Sequence, residues 1–237
     1  MPSTRPRHWL RWLIGAIVVV AVLALAGPFV YIHFFSGSTP AALSLSPSTG
    51  TTPASTPADG GTVSGTWTVG SGSVVGYRVN EVLVGQNTTA VGRTSSVTGH
   101  LTLTGSTATA ASFSVPMATV HSDKSQRDDQ FDGRIMDVAR YPTGTFTLTS
   151  PISLGSQPAA GAVRTYTAHG KLTLHGTTRA VTFPLTAERV AGGAQIKVAG
   201  DIPVLFPDYN IENPSLGGFV TTQDHGLLEF LLVFTRS

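Results

Sequence analysis

The chain has 237 residues, no cysteine, 41% hydrophobic residues and a formal net charge of +2 at pH 7. Without cysteine there are no disulfides, no thiolate metal centre and no acylated cysteine to serve as a lipid anchor. Three of the 15 Lys and Arg and one of the 13 Asp and Glu precede residue 62, which leaves 12 of each sign in residues 62–237. That portion is neutral and lacks the basic excess of a nucleic-acid binder.

Residues 1–12 are a basic tail containing Arg5, Arg7 and Arg11. From Leu13 to Phe35 there is no Asp, Glu, Lys or Arg, and these 23 residues span ~34 Å at ~1.5 Å each, enough to cross a ~30 Å hydrocarbon layer. No Lys or Arg follows until Arg78. The bias predicts a single-pass transmembrane signal anchor in the cell membrane, with the N-terminus cytoplasmic and the rest extracytoplasmic. A cleaved signal peptide is the alternative, because Ala24-Leu25-Ala26 is a small-residue cleavage pattern behind an apolar stretch. Cleavage there would leave the apolar run Phe29–Phe35 near a mature N-terminus, which favours the anchor. Residues 36–61 are rich in Ser, Thr, Pro, Ala and Gly with Asp59 as their one charge, and read as a flexible linker.

Residues 62–237 read as a single β-rich domain. Thr66–Val69 is a short strand, after which apolar residues alternate with polar ones. Val75, Tyr77 and Val79 share one face, followed by Val97, Leu101 and Leu103, then Phe113, Val115 and Met117. Asn87-Thr88-Thr89 between them reads as a polar loop with a formal glycosylation acceptor. The stretch from Arg127 to Pro142 is the exception: Phe131, Ile135 and Val138 recur at helical spacing. Ser125 offers an N-cap hydroxyl, Asp128 a first-turn acid, and Pro142 a stop.

Alternation resumes with Phe146 and Leu148, Leu172 and Leu174, the triplet Val181, Phe183 and Leu185, and then Ile196 and Val198. The last run, Gly226 to Thr235, is apolar on both faces and needs a cover on each side. The helix, as a lid or packing element, is the candidate cover. About nine strands joined by Gly-, Pro- and Asn-containing turns predict an all-β antiparallel barrel or sandwich with one short helix.

The inward faces nominate a pocket lining of Tyr77, Val79, Leu101, Phe113, Val115, Met117, Phe131, Ile135, Phe146, Leu148, Leu172, Phe183 and Ile196, with a filled core as the competing reading. Arg127 and Asp128 are head-group candidates, with helix capping and ion pairing as their alternative role. Arg78, Arg93, Lys124 and Arg134 read as scattered surface charge.

No metal site is expected. His169 and His175 lie ~20 Å apart along an extended strand, too far to share an ion. Asp208–Glu212 has the spacing of a calcium loop but has Asn213 and Phe219 where the Gly and the bidentate Glu belong. No catalytic set or cofactor is expected either: there is no Gly-x-Ser-x-Gly elbow, and Asp128 and Asp129 diverge on a helix.

From Trp67 to Thr235 the residues resemble the YceI-like family. The resemblance rests on Arg127-Asp128 followed by Phe131, Tyr141-Pro142 and Phe146, and on the hairpin Gly170-Lys-Leu-Thr-Leu-His-Gly-Thr-Thr-Arg-Ala-Val181. In the first hairpin this chain departs from the pattern, with Gly70 and Gly72-Ser73 in place of an Asp and a His-Ser pair, and Glu81 about where a second His often falls. The resemblance implies an extended, lipocalin-like antiparallel β-barrel that binds a long-tailed amphiphile such as a polyisoprenoid or another long-chain lipid. With the anchor, it implies a membrane-tethered protein that holds or shuttles such a lipid. An envelope protein-interaction or stress-sensor module with a filled barrel is the alternative.

Overall fold

The computed structural model describes residues 12–20, 39–45, 63–83, 85–155, 160–190, 193–215 and 220–236. Residues 12–20 are helical with exposed apolar side chains, and among the described residues no helix is long and apolar enough to cross a membrane. The rest of the expected span, residues 21–35, lies outside the described residues, as do residues 1–11 and most of the linker.

Among the described residues, thirteen strands form one antiparallel sheet. They are β1 (Gly65–Val69), β2 (Val74–Leu83), β3 (Gln86–Thr94), β4 (Thr98–Thr104), β5 (Thr107–Pro116), β6 (His121–Ser122), β7 (Thr143–Leu148), β8 (Ile152–Ser153), β9 (Val163–Leu174), β10 (Thr177–Arg189), β11 (Gln195–Leu205), β12 (Val220–Thr222) and β13 (His225–Arg236). β1, β4, β5, β7, β9, β10, β11 and β13 are hydrogen-bonded in that order and β13 pairs back onto β1, which closes an eight-stranded barrel. Closure leaves the eight strands of this ring without a free edge where they pair.

The wall continues beyond that ring. β13 pairs with β1 through Phe234–Arg236 and with β2 through Leu227–Leu231, so β1 and β2 act as one strand interrupted at residues 70–73. β3 pairs with β2, and β6, which follows β5 after a short 3-10 turn, pairs with β3.

β3 is the main departure from the sequence reading, because Asn87, Thr88 and Thr89 lie on this strand and not in a loop. Its alternation is silent for a steric reason. Gly92 faces Tyr77 in register, and a Cβ at Gly92 would lie 2.3 Å from the Tyr77 ring. The neighbouring strand therefore supplies the apolar bulk that β3 lacks. Val97 sits just before β4, and Met117 begins a 3-10 turn (Met117–Thr119) instead of extending β5; both are buried.

The helix is also shorter and earlier than expected. The helix α1 covers Ser125–Gln130 and passes into a π-helical turn over Phe131–Ile135. Lys124 occupies the N-cap, with no side-chain cap, so Ser125 is the first helical residue and not the cap. Asp137, at φ 43, ends the segment well before Pro142. Phe131 and Val138 are nonetheless buried and Ile135 half-buried, as the stripe requires.

The outer face of β13 is covered by something other than the helix. Ser44 and Leu45 lie beside Leu231 and Val233, while Arg78 donates to the Pro40 carbonyl at 2.8 Å and Arg93 to the Ala41 carbonyl. Residues 39–45 thus run as a strap over the outside of the barrel. Beneath it Glu229, with a side chain 1% exposed, pairs with Arg78 and Arg93. The two guanidinium groups compensate a carboxylate that would otherwise be buried at high cost.

Asp201 faces Glu229 across the β11–β13 pair. Its carboxyl is pushed above the usual range by burial and by the Glu229 charge, against the pull of Arg78. A carboxyl raised in the folded state binds its proton more tightly there, so stability falls as pH rises from the unfolded value to the folded one and stays lower above it. Asp201→Asn is therefore expected to raise the melting temperature at pH 7 and to give no gain below an ordinary aspartate pKa of about 3.9. Thermal unfolding at both pH values is the check, and an unchanged melting temperature at pH 7 would contradict it.

Candidate functional site

The barrel interior is hollow in two compartments. The first cavity offers about 110 Å³ to the centre of a water molecule and the second about 120 Å³. A single water needs roughly 10–15 Å³ by that measure, so each compartment exceeds an ordinary packing defect. Leu101, Phe146, Leu148, Phe183 and Ile196 line the first. Tyr77, Val79, Val115, Met117, Phe131, Ile135 and Leu172 line the second. Phe113 lines both, so every residue nominated from the inward faces borders one of the two spaces.

Four phenyl rings cluster in the wall of the first cavity, and Phe113 among them also faces the second. Phe113 of β5 stacks on Phe146 of β7 with centroids 5.4 Å apart, Phe146 meets the edge of Phe183 of β10 at 5.4 Å, Phe183 meets Phe230 of β13 at 5.9 Å, and Phe230 returns to Phe113 at 5.7 Å. These lie within the range of favourable offset and edge contacts between aromatics. The strands make room with small inward residues. A Cβ on Gly170 would lie 2.2 Å from Phe146 Cε2, and one on Gly200 would lie 2.9 Å from Phe230 Cζ.

Helical residues wall the second cavity. Phe131 stacks on Tyr77 at 5.2 Å, and Met136 completes this side. Burial pushes the Tyr77 phenol up to about 12, with the Arg127 charge opposing and the Asp128 charge reinforcing the shift. Tyr77 therefore stays protonated at neutral pH. Asp128 Oδ1 accepts from the Ser122 backbone N–H at 2.8 Å and from its hydroxyl at 2.7 Å, which ties the helix to β6. Arg127 reaches Glu81 at 3.3 Å and pairs with Asp123, so Glu81 holds the helix to β2. Both head-group candidates thus stand beside the second cavity with their polar atoms already engaged.

The polar side chains missed by the sequence reading are in the first cavity. Tyr166, Glu188 and Arg189 are part of its wall, and the Tyr166 hydroxyl is buried without a hydrogen-bond partner in the structure. The Tyr166 ring shares a face with Ala168, Gly170 and Leu172 on β9. Period-two alternation could have found it had β9 been carried back past Ala168.

The histidines among the described residues are spread over the barrel. His169 meets Thr182 at 2.9 Å, His175 the Tyr209 carbonyl at 3.2 Å, and His225 pairs with Asp224 at 2.8 Å. Among the described residues no three His, Asp or Glu side chains come close enough to hold a metal ion.

The model of the YceI-like domain matches residues 67–234, almost the whole barrel. The chain belongs to the YceI-like family. Among solved structures it is similar to a polyisoprenoid-binding domain from Saccharophagus degradans implicated in plant cell wall breakdown, at 15% identity over 73% of this chain and 98% of that one, with a TM-score of 0.58. It is also similar to BcnA of Burkholderia cenocepacia, at 24% identity over 66% of this chain and 95% of that one, with a TM-score of 0.50. These likenesses establish a shared fold. No curated protein matches the chain.

In this YceI-like barrel Asp128 acts through Ser122. Asp128→Ala removes the acceptor of two half-buried Ser122 hydrogen bonds, a loss of about 1–2 kcal/mol, and is expected to speed hydrogen exchange across residues 121–135 while β9 to β11 stay protected. Unchanged exchange in that stretch would contradict the tethering role.

Proposed function

We propose that this chain is a membrane-tethered, extracytoplasmic binding protein that encloses the tail of a polyisoprenoid or similarly long-tailed amphiphile, without carrying out chemistry on it. The observation that carries the reading is a closed barrel whose two internal compartments are lined almost wholly by aliphatic and aromatic side chains. Each buried methylene contributes about 0.8 kcal/mol, so a long tail is held out of water far more strongly than a compact solute could be. The Saccharophagus degradans domain, described as polyisoprenoid-binding, has the same fold and lends the choice of tail further support. The apolar stretch from Leu13 to Phe35 supplies the tether. The hollow interior weighs against the filled-barrel interaction module.

The head group belongs at the first cavity. Arg127 and Asp128 are engaged by protein partners, whereas the buried Tyr166 hydroxyl has a hydrogen bond to give, and buried polar groups rarely go without one. A hydroxyl, carbonyl or phosphate oxygen of the ligand would accept it.

The test uses the full chain recovered from membranes in a fluorinated surfactant, which does not mix with hydrocarbon tails. Organic extraction and mass spectrometry are expected to find a long-tailed amphiphile close to one per protein, and a protein that retains none under these conditions overturns the reading. Tyr166→Phe removes one hydrogen bond, worth about 0.5–1.5 kcal/mol. It should weaken retention of a polar-headed ligand up to about tenfold and leave binding of a headless hydrocarbon of equal length unchanged.

A further inference from the structure

We infer that the ring formed by Phe113, Phe146, Phe183 and Phe230 is a diaphragm that sets the tail length the barrel accepts, an inference that rests on the lipid-binding reading above. The four residues come from β5, β7, β10 and β13, and only β5 and β7 are neighbours in the sheet. The Phe146–Phe183 and Phe183–Phe230 contacts bridge over the small residues of β9 and β11, and the Phe230–Phe113 contact, with β1 and β4 between its strands, closes the ring across the interior. All four line the first cavity and Phe113 also lines the second, so the ring stands at the end of the first cavity that adjoins the second.

A tail that fits one compartment touches the ring and leaves it intact. A longer tail enters the second compartment only if a ring turns aside, losing aromatic contacts that are favourable as they stand. Phe146 and Phe230 have the least freedom, since the backbone surfaces at Gly170 and Gly200 are fitted against their rings. Phe183 faces Ala168 in register, and its edge-on contacts to two neighbours make it the part of the ring whose removal opens the passage most directly.

This gives a specific shape to the dependence of affinity on length. Within one compartment each added methylene should tighten binding about fourfold. Once the tail reaches the diaphragm the increments should fall away, producing a break in the plot of log affinity against length. The experiment titrates the full chain, in fluorinated surfactant, with a graded series of primary alcohols, both linear alkanols and prenols. Wild type is compared with Phe183→Leu, which opens the ring, and with Phe183→Trp, which thickens it. Cooperative thermal unfolding of each variant confirms that it is folded.

The expected result is a break in wild type that moves to longer tails in Phe183→Leu and to shorter tails or a lower plateau in Phe183→Trp, with affinities for short tails within about threefold of wild type. Opposite displacements cannot both arise from general destabilisation. Uniform increments with no break in wild type, or a break that stays in place in both folded variants, overturn the diaphragm while leaving the lipid reading standing. Failure of every tail length to bind overturns the lipid reading and the inference together.

Discussion

Everything in this domain depends on β13 holding two partners along one edge. Its far end pairs with β1 and its near end with β2, and between these stretches four residues, 70–73, face only two, Leu232 and Val233. Such a mismatch would leave backbone groups of a buried strand unpaired, which folded proteins rarely tolerate. Here the loop repairs the gap. Gly70 N–H donates to the Val233 carbonyl at 2.8 Å, and the Ser73 hydroxyl accepts the Val233 N–H at 2.9 Å while donating to the Gly70 carbonyl at 2.8 Å. Gly72, at φ 87, supplies the left-handed backbone that the tight loop needs. Gly70 and Gly72, two of the residues that depart from the family pattern in the first hairpin, thus act with Ser73 to close this barrel.

Closure has consequences on both sides of the wall. Inside, every strand must send alternate residues to a common axis, and the volume is shared unevenly: phenyl rings from four strands meet near the middle, opposite glycines on two others. The remaining space divides into two. Outside, β13 lies where barrel and strap meet, so Glu229 on its outer face is as thoroughly buried as a core residue. Arg78 and Arg93 satisfy that carboxylate and also hold the strap through the carbonyls of Pro40 and Ala41. The same two cations that look like scattered surface charge in the sequence thus link the outer wall to the strap of residues 39–45.

What could be read from the sequence follows from which forces act locally. Period two identified Tyr77, Val79, Phe113, Phe146, Phe183 and Ile196 as inward, because alternation is imposed by the strand itself. The stripe of Phe131, Ile135 and Val138 survived although the helix boundaries did not, since burial fixes the face while backbone geometry fixes the ends. β3 was invisible because its bulk comes from Tyr77 on the neighbouring strand. The cover over β13 was assigned to the helix because the strap, whose only large apolar residues are Leu43 and Leu45, is too short to show a hydrophobic periodicity of its own. It is recognisable only from the carbonyls it offers to Arg78 and Arg93.

The candidate site divides along the same line. Its lining was legible because each inward residue announces itself by parity. The polar end was not, because Arg127 and Asp128 attract attention as an adjacent charged pair, and only coordinates show Glu81, Asp123 and Ser122 consuming that charge and hydrogen bonding. Tyr166 carries the opposite signal: in sequence it is one more aromatic in a strand, and its interest lies wholly in a hydroxyl that finds no partner among its neighbours. Arg127 and Asp128, with partners on β2 and β6, hold the helix to the wall, whereas the Tyr166 hydroxyl borders the first cavity without a protein partner. Their positions differ accordingly: Tyr166 lines the first cavity, while the helical segment walls the second.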